Sequence, residues 1–193
     1  MPDHEYESAE HMGLDIQIAV SHNVTGVSLG AVIDTFRPLA ESFSEISHYY
    51  SEWYRFKPAS ESWRDVSDPN FQRPYLFEGP AGFMFSFGPN VLSMHHLARF
   101  HSFCTEANVR QMIRGFAFKA TKLLAGAQAI YSPDQGIAEE INSLIFDGRT
   151  FAELVTHLLR LGTPALSFAE LDASWAPAPI YYIDRFEDFY ATE

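Results

Sequence analysis

The chain is 193 residues long, with 13 basic and 25 acidic residues and a formal net charge of −12. This length is typical of one domain, and a hydrophobic content of 47% supports an apolar core without disulfides or a structural metal. The acidic balance argues against a general nucleic-acid binder, which needs a basic surface to displace phosphate counterions. The apolar runs are too short to span a membrane, and a single cysteine, Cys104, excludes an intrachain disulfide.

The N-terminal segment is polar and acidic. Residues 1–12 contain no lysine or arginine, so they lack the basic character of secretory and mitochondrial targeting segments. We expect a frayed acidic N-terminus over 1–12 and a single α+β domain over 13–193. A lone thiol suits a reducing compartment, which predicts a cytoplasmic protein of bacterial type.

The first predicted element is a strand over 14–20, where apolar and polar residues alternate as in a half-buried strand. Ser28 is placed to cap a helix over 29–50, which Pro38 either kinks or divides in two. Further strands are predicted over 53–57, 74–78 and 82–87. The triplet Gly88-Pro89-Asn90 indicates a turn, so 82–103 is a candidate hairpin whose second half is ambiguous between strand and helix.

The second half of the chain is richer in helical patterns. Thr105 is predicted to cap a helix over 106–125, and Thr150 a helix that ends at Gly162. Further helices are predicted over 137–146 and 166–171, and short strands over 127–131 and 180–183. Because the strands cluster early and do not alternate strictly with helices, the order predicts an α+β fold with a largely antiparallel sheet and helices packed on one face.

Imidazole and thiol groups, which are potential metal ligands, occur together at His95, His96, His101 and Cys104. On a strand, His96 would face away from His95 and His101. On a helix, only His101 and Cys104 would face the same way. Neither arrangement gives three ligands on one face, so we predict no metal and no cofactor. His101 is close enough in sequence to activate Cys104, but a lone cysteine in an apolar stretch favours a structural role.

The segment 131–136 follows a predicted strand and opens a helix, which is a favoured position for functional residues. Asp134 has the chemistry of a general base, whereas Glu139 and Glu140 in the next helical turn would repel an anionic ligand. A capping role for Asp134 and an exposed acidic contact surface are therefore favoured. The motifs GxxxxGK[ST], GxGxxG and GxSxG do not occur, and we predict no catalytic residue.

Basic residues concentrate in one predicted helix and acidic residues after it. Arg110, Arg114 and Lys122 share a helical face, whereas 131–153 and 166–193 are acidic. The two groups either pair with each other inside the fold, or the acidic residues form a surface that attracts a basic partner.

The preferred hypothesis is a non-enzymatic acidic binding protein that captures a basic partner protein, as an immunity protein captures its toxin. Tyrosines at the surface would anchor the contact, and Tyr181 and Tyr190 are expected to be exposed while Ile180, Tyr182 and Phe186 enter the core. The predicted partner-binding residues are Asp134, Glu139, Glu140, Asp147, Tyr181 and Tyr190. No nucleic-acid or membrane partner is expected.

An alternative hypothesis is an enzyme or a small-ligand or metal-binding domain. Its pocket would lie in the aromatic cluster 49–87, with His95, His96 and Asp134 as polar groups. The expected apolar lining is Trp53, Tyr54, Trp63, Tyr75 and Phe85. A third hypothesis is a homodimer that buries its own exposed aromatic residues.

Overall fold

The alternating apolar segment near the start of the chain forms the central strand of an antiparallel sheet. The computed structural model describes residues 14–23, 29–46, 64–65, 75–79, 83–173 and 180–191. The strands are β1 (Asp15–Ser21), β2 (Arg64–Asp65), β3 (Tyr75–Glu78), β4 (Met84–Phe87), β5 (Val91–Arg99), β6 (Ala129–Pro133) and β7 (Tyr182–Asp184). The helices are α1 (Leu29–Ile46), α2 (Phe100–Thr105), α3 (Ala107–Leu123), α4 (Ile137–Phe146), α5 (Phe151–Leu161), α6 (Phe168–Ala173) and α7 (Glu187–Tyr190). The predicted N-terminal segment 1–12 and the predicted strand 53–57 lie outside the described residues.

The strands form one sheet in the order β2-β3-β4-β5-β1-β6-β7, and each neighbouring pair is antiparallel. The predicted hairpin is β4 and β5, joined through the Gly88-Pro89-Asn90 turn. The α+β class and the antiparallel sheet are confirmed. The central position of β1 brings β5 and β6, far apart in sequence, to its two sides.

One face of the sheet carries the larger layer of helices. Ile16, Ile18 and Val20 of β1 point into a core that α1 and α3 complete. The core is rich in phenylalanine, and Phe36 of α1 meets Phe85 and Phe87 at ring-centroid distances of 5.2 Å. This is the helical layer on one face that the sequence predicts.

A second, smaller layer covers part of the opposite face. Ala19 of β1, Val91 and Ile130 pack there against the apolar sides of α4 and α5. The prediction of helices on one face thus describes the larger layer, and α4 and α5 add a layer that it does not include. β1 is consequently buried on both faces, so the prediction of a half-buried strand is wrong.

Pro38 lies inside a single helix. α1 continues from Leu29 to Ile46, and Pro38 is on its exposed side. The carbonyl that loses its partner to proline is that of Asp34, which is also exposed. Water can therefore replace the missing intrahelical hydrogen bond. Ser28, the predicted cap, lies outside the described residues.

The predicted cap of α3 is wrong, as is the strand reading of 100–103. β5 ends at Arg99 and the chain turns directly into α2, where Phe100 N–H donates to the Leu14 carbonyl. Thr105 is in the last turn of α2, and its hydroxyl donates to the His101 carbonyl. Glu106 occupies the N-cap of α3 without a side-chain capping bond. The α5 cap is confirmed, since Thr150 and Glu153 form a reciprocal capping box.

Among the helices that the structure describes, none combines the length and hydropathy needed to cross a bilayer.

Candidate functional site

The exposed side of α4 and its C-cap hold three of the six predicted partner-binding residues. Ile137, Ile141 and Ile145 face the smaller core. We give the name acidic ridge to four of the exposed residues on the opposite side and at the C-cap: Glu139, Glu140, Phe146 and Asp147. Both Glu139–Phe146 and Glu140–Asp147 are seven residues apart, so each pair lies two turns apart on one side of the helix. Phe146 is 54% exposed.

Charges on the acidic ridge are only partly matched. Glu140 lies 3.3 Å from Nε2 of His157 on α5. Within the part of the chain that the structure describes, Glu139 and Asp147 are in no ion pair. The two glutamates complement the positive end of the helix dipole, whereas Asp147 at the C-cap faces its negative end. Helix stability therefore accounts for the glutamates but not for Asp147.

The two tyrosines do not extend this surface. Tyr181 is 0% exposed, so the prediction that it is exposed is wrong. Its hydroxyl donates to the Gly162 carbonyl at 2.9 Å, and its ring completes the smaller core because β7 passes under α5. Tyr190 is exposed, as predicted, but its ring contacts Phe118 of α3 at 5.1 Å, on the other side of the sheet from α4.

The basic helix is paired internally in part. Arg114 of α3 contacts Asp184 at 2.7 Å and Asp188 at 2.8 Å. Arg110 donates to the Cys104 carbonyl at 2.7 Å. The internal alternative is therefore correct for Arg114, and two of the C-terminal acidic residues are neutralised within the fold.

Asp134 belongs to a different cluster, at the edge of the sheet where β1 begins and β5 and β6 end. We define the sheet-end cluster as Asp15, His96, Arg99 and Asp134. Asp15 accepts from His96 Nδ1 at 2.9 Å and from Arg99 Nη1 at 2.8 Å. One ligand atom each from Asp15, His96 and Asp134 lies within 4.8 Å of the other two. Asp134 N–H donates to the Asp15 carbonyl at 2.9 Å, which places the two residues side by side on adjacent strands.

A β-bulge brings His96 into this cluster. Asp15 pairs with Arg99 and Gln17 with His95, so His96, Leu97 and Ala98 together oppose the single residue Ile16. His96 has a φ of 62°, a left-handed conformation that is uncommon outside glycine. A bulge redirects side chains, and here it turns His96 toward the face that carries Asp15. A regular strand would have kept His95 and His96 on opposite faces, as the sequence predicts.

Burial and like charge shape the acid–base behaviour of this region. Burial, then the nearby Asp15 carboxylate, raises the pKa of Asp134 above its ordinary value. Burial, with a smaller effect from His96, lowers the pKa of His95 to about 4. His95 is therefore neutral at pH 7, and its Nε2 lies 2.9 Å from Ser93 Oγ. Gln17 joins this pair to α4, because its Nε2 donates to Ser93 Oγ and to Asn142 Oδ1.

His101 and Cys104 take no part in the cluster. His101 is exposed and its Nδ1 lies 3.0 Å from Asp172. Burial raises the pKa of the Cys104 thiol to about 12, so it is not an activated nucleophile. The structural role predicted for the cysteine is consistent with its place in the larger core.

Most of the residues expected to line the aromatic pocket fall outside the described part of the chain. Trp53, Tyr54 and Trp63 lie outside the described residues, as does the side chain of Tyr75. Phe85 is fully buried in the larger core.

Sequence patterns offered limited signals for two functional candidates. Phe146 is the apolar residue of α4 that falls on the polar side of the helix, seven positions after Glu139. An apolar residue at that position indicates a contact residue. Asp15 is at one of the polar positions of the alternating pattern that predicts a half-buried strand, so nothing in the pattern predicts its burial. Comparisons of the chain with protein-family models, with curated proteins and with solved structures find no match.

Proposed function

We propose that the protein captures a basic partner protein through the acidic ridge of α4, as an immunity protein occludes its cognate toxin. The observation that carries the proposal is the exposed phenyl ring of Phe146 beside three exposed carboxylates on one side of a helix. Aromatic side chains surrounded by residues whose charge is opposite to that of the partner are typical anchors of protein interfaces. The mechanism is steric occlusion combined with electrostatic attraction.

The charge of the whole chain supports this proposal. A net charge of −12 accelerates encounter with a basic partner through the long-range field. Asp184 and Asp188 are ion-paired with Arg114, so these two carboxylates contribute less to the negative field at the surface than two unpaired carboxylates would. Glu139 and Asp147 keep their charge free of ion pairs within the described residues. The ridge is therefore the best placed of the predicted acidic groups to meet a partner.

The setting of α4 supports a preorganised surface. Ile137, Ile141 and Ile145 are buried against the sheet, and Gln17 of β1 holds Asn142 by a hydrogen bond of 2.9 Å. A helix fixed along its buried side loses little conformational freedom on binding, which favours affinity. We place the encounter in the bacterial cytoplasm. Asp134 and Tyr181 act here through the fold and not as contact residues.

Affinity capture from the native host at low salt, followed by mass spectrometry, tests the proposal. We expect one basic protein at one-to-one stoichiometry, released by high salt. Glu139→Lys and Phe146→Ser should each abolish this capture. Asp34→Lys, a charge reversal at an exposed site of α1 on the other side of the sheet, is the matched control and should retain it.

Two results would contradict the capture function. One is a partner held equally well by the ridge variants, because the contact would then lie elsewhere. The other is a chain that sediments as a stable homodimer whose dissociation needs Phe146→Ser, since the ridge would then bind a second copy. The enzyme or ligand-binding alternative gains support from the meeting of His96 and Asp134 at Asp15.

A further inference from the structure

We propose that Asp15, His96 and Asp134 form a binding site for one divalent transition-metal cation, with Zn²⁺ or Mn²⁺ as the fitting ions. This inference is independent of the capture function, because it concerns the sheet-end cluster and not the ridge. The three residues come from three adjacent regions of the sheet, namely β1, the bulge of β5 and the end of β6.

The donor set has the required number and chemistry. One imidazole nitrogen and two carboxylate oxygens lie within 4.8 Å of one another, which is close enough for one ion to contact all three. Three protein ligands with open positions are typical of sites that also bind water or a substrate. Imidazole suits Zn²⁺ and carboxylates suit Mn²⁺, whereas Mg²⁺ and Ca²⁺ prefer oxygen ligands alone.

A second observation also indicates a ligand at this end of the sheet. Of the buried oxygen atoms without a hydrogen-bond partner among the described residues, three lie near this cluster: Gln17 Oε1, Ser132 Oγ and Asp134 Oδ1. Gln17 and Ser132 are fully buried and directly opposite each other on β1 and β6. They sit one side-chain position, about 7 Å, along the same sheet face from Asp15 and Asp134.

Those unpaired polar atoms require hydrogen-bond partners or an ion. A buried polar atom without a partner is unfavourable, so native structures seldom leave several together. A cation bound by Asp134, with coordinated water donating to Gln17 and Ser132, would satisfy all three atoms. Asp134, Gln17 and Ser132 therefore share one property, which is that their oxygens can accept positive charge or hydrogen bonds.

Arg99 and the bulge support the same arrangement. Arg99 holds Asp15 Oδ1 at 2.8 Å and leaves Oδ2 directed at His96, as an outer-shell partner orients a ligating carboxylate. The left-handed backbone of His96 costs free energy that the fold must offset. A cation would also relieve the repulsion between the neighbouring carboxylates of Asp15 and Asp134.

Calorimetric titration of the purified full chain with Zn²⁺ and with Mn²⁺, after dialysis against a chelator, tests the site. We expect one ion per chain. Asp134→Asn keeps the shape of the side chain and removes its charge, while His96→Asn removes the imidazole at a backbone conformation that asparagine tolerates. Each should weaken binding at least about tenfold, the lower end of the loss from disturbing a metal's surroundings.

His101→Asn is the matched control, because His101 is a histidine hydrogen-bonded to an aspartate with no third ligand among the described residues. It should bind the metal as the unaltered chain does, and circular dichroism should show all variants folded. Visible absorption of a Co²⁺ complex gives an independent readout of nitrogen and oxygen ligation. Failure of the unaltered chain to bind one ion, binding that survives Asp134→Asn, or loss of binding in His101→Asn would each overturn the proposal.

Discussion

Arg114 and Asp184 form a two-point ion pair across the boundary between α3 and β7. Arg114 Nε donates to Asp184 Oδ2 at 2.7 Å and Nη2 to Oδ1 at 3.1 Å, while the Asp184 side chain is only 3% exposed. Arg114 also reaches Asp188, whose side chain is 62% exposed. One guanidinium thus holds a buried and an exposed carboxylate, so the loss of both pairs can be compared with the loss of the exposed pair alone.

Replacing Arg114 with methionine should destabilise the protein by about 3–5 kcal/mol, because Asp184 would remain as a buried charge without its partner. Asp188→Asn should cost only about 0–1 kcal/mol, since an exposed ion pair is largely screened by water. Urea unfolding followed by circular dichroism measures both values. Equal losses in the two variants would mean that burial does not determine the strength of these pairs.

The capping box of α5 predicts a second difference between matched variants. Thr150 Oγ1 accepts from Glu153 N–H, and the Glu153 carboxylate accepts from Thr150 N–H at 2.8 Å. Thr150→Ala removes one side of this box and should lower the free energy of unfolding by about 1 kcal/mol. Thr156→Ala, at an exposed mid-helix position, should have little effect or a small stabilising one, because alanine is the better helix former. A loss at Thr156 as large as at Thr150 would contradict the capping argument.

His22 makes stability depend on pH in a defined direction. The residue is buried, its Nε2 donates to the Gly88 carbonyl at 2.8 Å, and burial lowers its pKa below the ordinary histidine value of 6.5. As pH falls below 6.5, the unfolded chain therefore binds a proton at His22 before the folded chain does. The stabilisation is complete above that pH and is lost below it, with a slope of at most about 1.4 kcal/mol per pH unit.

The change is measured by urea unfolding between pH 7.5 and 5 in the unaltered chain and in His22→Gln. The stability of the unaltered chain relative to the variant should fall as the pH is lowered. His95, also held below its ordinary pKa by burial, is present in both proteins and cancels in the comparison. Parallel pH profiles would show that His22 titrates alike in the folded and unfolded chains.

Local sequence signals predicted the elements that depend on local chemistry. The helix over 137–146 was placed correctly because its apolar residues recur on one side. Thr150 and Gly162 marked the ends of α5 through capping chemistry that needs no tertiary contact. Strand clustering predicted the antiparallel sheet for a similar reason, since it follows from the order of elements alone.

Elements set by tertiary contacts were not predictable in this way. α2 begins at Phe100 because the pairing between β1 and β5 ends there. The last hydrogen bond joins Phe100 N–H to the carbonyl of Leu14, which lies 86 positions earlier in the chain. His96 reaches Asp15 through a bulge that depends on the β1–β5 pairing, and neither residue signals it locally. Tyr181 is buried because α5 covers β7, which no pattern around residue 181 indicates. The acidic side of α4 was predictable, whereas the sheet-end cluster required the topology.

Cys104 supplies the last prediction, and it separates a structural thiol from a catalytic one. Its side chain is buried in the larger core, and burial, with a smaller effect from Asp172, raises its pKa to about 12. At pH 8 the thiolate fraction is then on the order of 10⁻⁴, and the reagent also lacks access to the sulfur. Ellman's reagent should therefore label the native chain only as fast as the chain opens, but label it at once in guanidinium chloride. Stoichiometric labelling of the native chain within seconds at pH 8 would show an accessible, activated thiol. That result would support Cys104 as a nucleophile activated by His101.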